Sequence, residues 1–135
     1  MPYITLDGIS YAVVHDGCFI TNDGLDYLRA IDRGKGCYSK TRDAPEREQV
    51  ELAKKFIVAN CLKTKTIRDL IDSYGWKHRC ERWGKAQGFA AYVTNGAFLQ
   101  AAYEMGGIAI KPCRPGCINA WLSLGFARGR TKLCL

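Results

Sequence analysis

Two Asp-Gly pairs near the N-terminus, Asp7-Gly8 and Asp16-Gly17, constrain this chain more than any other feature. A two-residue hairpin turn that matches the right-handed twist of its strands needs positive φ angles. Asp-Gly tolerates them at little cost. Each pair is flanked by apolar and β-branched residues. Tyr3-Ile4-Thr5-Leu6 precedes the first, Ile9-Ser10-Tyr11-Ala12-Val13-Val14 lies between the two, and Cys18-Phe19-Ile20-Thr21 follows the second. The spacing predicts a three-stranded antiparallel meander over the first 21 residues.

Helical signals take over next. Leu25, Leu28 and Ile31 recur at helical spacing between Asn22-Asp23 and Gly34, which predicts a short capped helix. Residues 34–44 lack apolar periodicity and read as a loop. Asp43-Ala44-Pro45-Glu46 is a helix start, with Asp43 as cap and Glu46 as the returning acid, and the helix runs to about Cys61 with Val50, Ala53, Ile57 and Cys61 inward. Thr66-Ile67-Arg68-Asp69 reads as a second capping box, opening a helix with Ile67, Leu70, Ile71 and Tyr74 inward that ends near Gly75. Trp76 to Lys85 reads as a separate basic helical segment. Thr94-Asn95 caps a further helix with Phe98, Leu99, Ala102 and Met105 on its apolar face, stopped by Gly106-Gly107. Residues 108–111 and 118–124 read as strands joined across Pro112–Cys117.

The expected architecture is therefore α+β: an N-terminal three-stranded meander, four to five helices and a C-terminal β-hairpin. Three helices followed by a hairpin is the element order of a winged helix-turn-helix, so a winged-helix-like second half is part of that expectation. At 135 residues, 47% hydrophobic and 24% charged, the chain matches one ordinary globular domain, 1–135.

Charge divides that domain in two. Residues 1–62 hold 8 Lys/Arg against 9 Asp/Glu, a net of −1, and residues 63–135 hold 12 against 4, a net of +8, which together make the chain's +7. Such asymmetry concerns long-range partners rather than fold. Lys77, Arg79, Arg82 and Lys85 cluster on the basic segment beside His78, with Trp76 and Trp83 interleaved, and Arg128, Arg130 and Lys132 form a tail with no acid nearby. Lys111 and Arg114 add charge at the hairpin tip. Clustered cations neutralise phosphates, and adjacent aromatic rings stack on unpaired bases. Those seven cluster and tail cations are the expected contacts to nucleic acid or a partner. The helix after Thr94 offers Asn95, Gln100, Tyr103 and Glu104, a poor set for reading base edges, so backbone or shape binding is favoured over sequence-specific duplex reading.

Catalysis and metal binding are not expected. The seven cysteines (Cys18, Cys37, Cys61, Cys80, Cys113, Cys117, Cys134) are odd in number and irregularly spaced, which argues for reduced, buried thiols rather than a disulfide framework. Cys113-x-x-x-Cys117 is one loose pair without the second pair that zinc requires. His15 precedes Cys18 by three residues and His78 precedes Cys80 by two, but neither pair carries a signature of nucleophilic catalysis. No window approaches the roughly 18 apolar residues of a membrane span, and no secretory leader is visible, so a cytoplasmic protein without cofactor or membrane contact is expected.

Three segments, Ser73-Tyr74-Gly75-Trp76-Lys77-His78, Tyr92-Val93-Thr94-Asn95-Gly96-Ala97-Phe98 and Asn119-Ala120-Trp121, together resemble a group of small uncharacterised bacteriophage and prophage proteins. Those share Ser-Tyr-Gly-x-Lys-His, Tyr-Val-Ser/Thr-Asn-Gly-x-Phe and Asn-Ala-aromatic segments. The likeness covers about residues 66–124, with Trp76 where a smaller aliphatic is usual. It implies a mobile-element origin. The expected function is a non-enzymatic phage-type protein that docks on nucleic acid or a nucleoprotein complex of the host cell, most concretely an anti-CRISPR-like inhibitor of host defence. A small winged-helix-like DNA-binding regulator and a zinc- or thiol-dependent module are the alternatives.

Overall fold

A computed structural model describes residues 2–35 and 40–127. Strands β1 (Tyr3–Leu6), β2 (Ile9–His15), β3 (Cys18–Thr21) and β4 (Gly24–Tyr27) form a four-stranded antiparallel sheet in sequential order. Asp7 and Gly8 both adopt positive φ, 49° and 81°, and the hairpin closes with Leu6 opposite Ile9. The fourth strand corrects the expected helix at 25–31. Asn22-Asp23 is a hairpin turn between Thr21 and Gly24 rather than a helix cap. The Leu25, Leu28, Ile31 spacing marks no common face, since Leu25 is fully buried while Ile31, in the middle of a single 3-10 turn, Ala30–Asp32, is 84% exposed.

The loop that returns from this sheet is pinned by charge. Asp26 is wholly buried on β4 and accepts hydrogen bonds from both Arg33 (Nε, 2.9 Å) and Arg42 (Nε, 2.9 Å). A buried carboxylate is tolerable only when charge-assisted donors replace its water, and two guanidinium groups do so here.

Helix α1 runs Arg47–Asn60 and buries Val50, Ala53 and Ile57 as expected, but Asp43 does not cap it. The N-cap is Glu46, and the Asp43 carboxylate instead accepts from the Thr41 hydroxyl. Strand β5, Cys61–Asp72, replaces the expected helix over 66–75. Its Thr64, Thr66, Ile67 and Ile71 are β-branched and favour extended backbone. Leu70, assigned inward by the helical reading, is 84% exposed. Helix α2 is then one continuous helix, Ser73–Ala86, capped by the Asp72 carboxylate accepting from the Gly75 N–H at 2.8 Å. Helix α3, Asn95–Met105, forms where expected, with the Thr94 hydroxyl accepting from the Ala97 N–H at 3.0 Å.

The structure therefore has three α-helices among its described residues, not four or five. The C-terminal hairpin, β6 (Ile110–Pro112) with β7 (Ala120–Phe126), is not a free wing. β7 is the central strand of a second sheet in the order β5-β7-β6. Because β5 separates α1 from α2, and all residues of α3 from Asn95 to Tyr103 are buried, no recognition helix of winged-helix type is presented among the described residues. No helix of the described residues is long and apolar enough to cross a membrane.

The helices pack on one another, α3 also touching β3 and β4 and α2 touching β5 and β7. Their shared centre is aromatic. The Trp76 and Phe98 rings are nearly parallel with centroids 6.3 Å apart, and Phe56 meets Trp76, Trp83 and Phe98 edge-on at 5.9–6.4 Å. Offset or edge-to-face pairs of this kind add to the area term of burial. Both tryptophans are thus core residues, Trp76 only 2% exposed, and neither is a stacking platform for a ligand.

A charged cluster clasps α1 to α3. Glu104 accepts from Arg47 at 2.5 and 2.9 Å, and also pairs with Lys54 (2.7 Å) and Gln100 (2.8 Å). The hydrogen bonds from Arg47 are the main cause that holds its carboxyl down at about 2, against the opposing effect of burial. A folded value below the unfolded 4.5 means that the cluster stabilises fully above that pH and loses its contribution as the pH falls toward about 2. Glu104→Gln is expected to lower stability at neutral pH and to flatten the acid limb of unfolding between those values, as read by urea melts across that range.

Candidate polyanion interface and the adjoining cleft

The exposed face of α2 follows from helical geometry. Tyr74, His78, Arg82 and Lys85, spaced by four, four and three residues, share one stripe. Trp76, Cys80 and Trp83 fill the opposite side and are buried. Of the seven expected contacts, Arg82 and Lys85 stand exposed on this stripe. Arg79 lies on its flank and is drawn partly inward, its guanidinium over the Phe126 ring at 5.7 Å. Lys77 turns to the other flank and is 8% exposed, its Nζ 3.4 Å from the Glu81 carboxylate. Arg128, Arg130 and Lys132 lie outside the described residues.

Sequence reasoning missed three cations. Lys63, Lys65 and Arg68 are exposed on β5, which the sequence analysis assigned in part to an amphipathic helix. Arg68 lines a small cleft of about 190 Å³ to which Phe126, the ring under the Arg79 guanidinium, also contributes. From there Arg82 and Lys85 continue along α2, each three residues on. The only earlier signal was the excess of Lys/Arg past Leu62.

The acids of the first half do not neutralise this face. Asp26 holds Arg33 and Arg42, Asp32 holds Arg29, and Glu51 with Glu104 holds Arg47 and Lys54. Among the described residues no ion pair engages Lys63, Lys65, Arg68, Arg82 or Lys85. Lys111 and Arg114 are also exposed, in a separate groove that His15 and Asp16 share.

Beside Lys77 opens a cleft of about 410 Å³ lined by Asn22, Asp23, Tyr74, Lys77, Tyr92, Thr94, Asn95, Ile118 and Asn119. All three segments of the sequence resemblance contribute to its walls. Its floor is the first turn of α3 seated on the β3–β4 turn. The Gly96 N–H donates to the Asn22 carbonyl at 3.1 Å, and a Cβ on Gly96 would stand 1.7 Å from the Thr21 carbonyl oxygen. Asn95 donates from Nδ2 to the carbonyls of Asp23 (3.1 Å) and Ile118 (3.3 Å) and to Asn119 Oδ1 (3.0 Å). The Lys77 ammonium faces the Tyr74 and Tyr92 rings, 5.1 and 5.7 Å from their centroids.

The thiols form no reactive arrangement among the described residues. Cys80 is buried on the side of α2 away from His78, whose Nδ1 lies 3.1 Å from Glu81. Burial pushes the Cys18 thiol up to about 12, and burial together with neighbouring Cys117 pushes Cys113 to about 12. No group of three His, Cys, Asp or Glu among the described residues is placed to hold a metal ion, and Cys37 and Cys134 lie outside them. No family model, curated protein or solved structure matches the chain.

Two outcomes follow from this geometry. Gly96→Ala is expected to abolish cooperative folding, because backbone rather than a movable side chain occupies the space; a thermal melt followed by circular dichroism checks it. Cys113, protonated at neutral pH, is expected to alkylate with iodoacetamide far more slowly than a free thiol of ordinary acidity and to accelerate only as the pH approaches about 12, read by peptide mass mapping.

Proposed function

We propose that this chain is a non-enzymatic binding protein that docks on nucleic acid, free or within a nucleoprotein complex, through the cationic face of β5 and α2. One observation carries the reading: Lys63, Lys65, Arg68, Arg82 and Lys85 are exposed on two elements that pack together, and no acid among the described residues pairs with them. A solvated charge that has already found an internal partner contributes little to a phosphate. These five have none, so counterion release on phosphate binding is available to all of them. The resemblance of residues 66–124 to phage and prophage proteins makes a stoichiometric inhibitor of a host nucleic-acid-handling complex, anti-CRISPR-like, the most concrete form. At a net charge of +7 such an inhibitor would compete for the complex's nucleic acid or cover an acidic surface, not imitate DNA.

The test is charge reversal on the surface, where folding is little affected. Arg68→Glu, Arg82→Glu and Lys85→Glu combined should weaken binding to an oligonucleotide by on the order of 100-fold or more at low salt. The slope of log K against log salt should shrink by about 2 to 3, since each lost phosphate contact removes roughly 0.7–0.9. Binding unchanged in both affinity and slope would sink the proposal.

A further inference from the structure

Three side chains that line the 410 Å³ cleft, Asn22, Asn119 and Lys77, carry spare hydrogen-bond donors. The Thr94 hydroxyl accepts from the Ala97 N–H, so its own proton goes to Asn22 Oδ1 at 2.8 Å, which turns the Asn22 NH₂ outward. Asn95 faces two backbone carbonyls, so its Nδ2 must be the donor end; Asn119 therefore presents Oδ1 to it and leaves its own NH₂ outward. Neither NH₂ meets an acceptor among the described residues. Lys77 brings three more donors and has one long contact, to Glu81. The cleft also holds the Asp23 carboxylate, which accepts from the Lys40 N–H at 3.2 Å and keeps further acceptor capacity, and Glu81 beside it accepts from the Val93 N–H at 3.1 Å. Spare donors on Asn22, Asn119 and Lys77, beside the acceptor oxygens of Asp23 and the tyrosines, suit a ligand that carries mostly acceptors together with some donors, as a nucleotide does.

The mouth narrows the class further. Tyr74 and Tyr92 are 50% and 65% exposed, and both rings flank the ammonium. Phosphate oxygens and base carbonyls are acceptors, and a base also supplies a flat face for a tyrosine ring, which an inorganic anion does not. The volume falls within the range of sites for ligands of that size. Tyr74 also belongs to the α2 stripe, meeting the His78 ring edge-on at 4.5 Å, with Arg82 and Lys85 on the turns beyond. A backbone laid along that stripe delivers a nucleotide to the cleft.

We infer that the cleft receives the base and phosphate of an unpaired nucleotide, so that the nucleic acid bound is single-stranded. This rests on the docking reading above and specifies it. A duplex would have to unstack and extrude a base to reach the cleft, and a single strand does not.

The test compares a fluorescent single-stranded oligonucleotide with its duplex, using the whole chain. Wild type should prefer the single strand. Tyr74→Ala with Tyr92→Ala should lose about 10- to 100-fold in single-strand affinity, as loss of base stacking does, with the salt slope unchanged and a much smaller loss for the duplex. Tyr74→Phe with Tyr92→Phe should retain the affinity, and thermal melts of all variants confirm that they fold. Equal affinity for both nucleic acids, or single-strand binding indifferent to loss of the rings while charge reversal still abolishes it, overturns the cleft and leaves the cationic face standing. A titration with uridine monophosphate, followed by the side-chain amide resonances of Asn22 and Asn119, reads the cleft alone. Shifts there without oligonucleotide binding would uphold the nucleotide site and remove the docking reading, and silence in both would overturn the two together.

Discussion

Asn95 joins three parts of the chain that are far apart in sequence, and the rest of the structure depends on that junction. Its side-chain amide reaches the β3–β4 turn through Asp23, the approach to β7 through Ile118 and Asn119, and it is itself the first residue of α3. The neighbouring Gly96 lets the helix settle directly onto the backbone of that turn. A buried amide with several partners is costly to misplace, because its own polar atoms would lose the hydrogen bonds that replace water. The junction sets the position of α3 against the first sheet and aligns the walls of the cleft. The Asn95 Oδ1 is buried without a hydrogen-bond partner among the described residues.

Above this junction the helices hold together through the rings of Phe56, Trp76, Trp83 and Phe98. α2 supplies both tryptophans. Its inner side is thus committed to packing, and its outer side is left to charge. Lys77 and Arg79 sit at the two borders between these sides. Each places its cation against aromatic rings, Tyr74 and Tyr92 in one case and Phe126 in the other, an arrangement that retains charge at the margin of a dry core.

Electrostatics are divided by region. Five cations of the first half, Arg29, Arg33, Arg42, Arg47 and Lys54, meet carboxylates within a few ångströms, two of them on the fully buried Asp26. Those pairs serve the fold, because a buried acid needs them. The cations of β5 and the outer stripe of α2 serve no such need. Those of β5 also lie on an edge strand, since among the described residues β5 pairs with β7 alone. Lysines and arginines on an open edge discourage pairing with another chain, and irregular register with β7 adds to this effect. The same residues thus protect the edge and carry the proposed contact.

What the sequence determined by itself was local. Asp7-Gly8 specified a hairpin because positive φ is a property of two residues, Thr94 specified the start of α3 because a cap reaches only three residues, and the excess of cations past Leu62 needed only counting. Tertiary structure decided the remainder. Leu25, Leu28 and Ile31 satisfy a helical spacing, yet they lie in a strand and a turn, because pairing with β3 and burial of Asp26 outweighed a weak local preference. The Thr66–Asp69 pattern likewise gave way to pairing with β7, a partner more than fifty residues away. Burial of Lys77, exposure of Lys63, Lys65 and Arg68, and the cleft assembled from Asn22, Tyr74, Tyr92 and Asn119 all depend on which distant segments meet. Periodicity over a few residues carries no information about that.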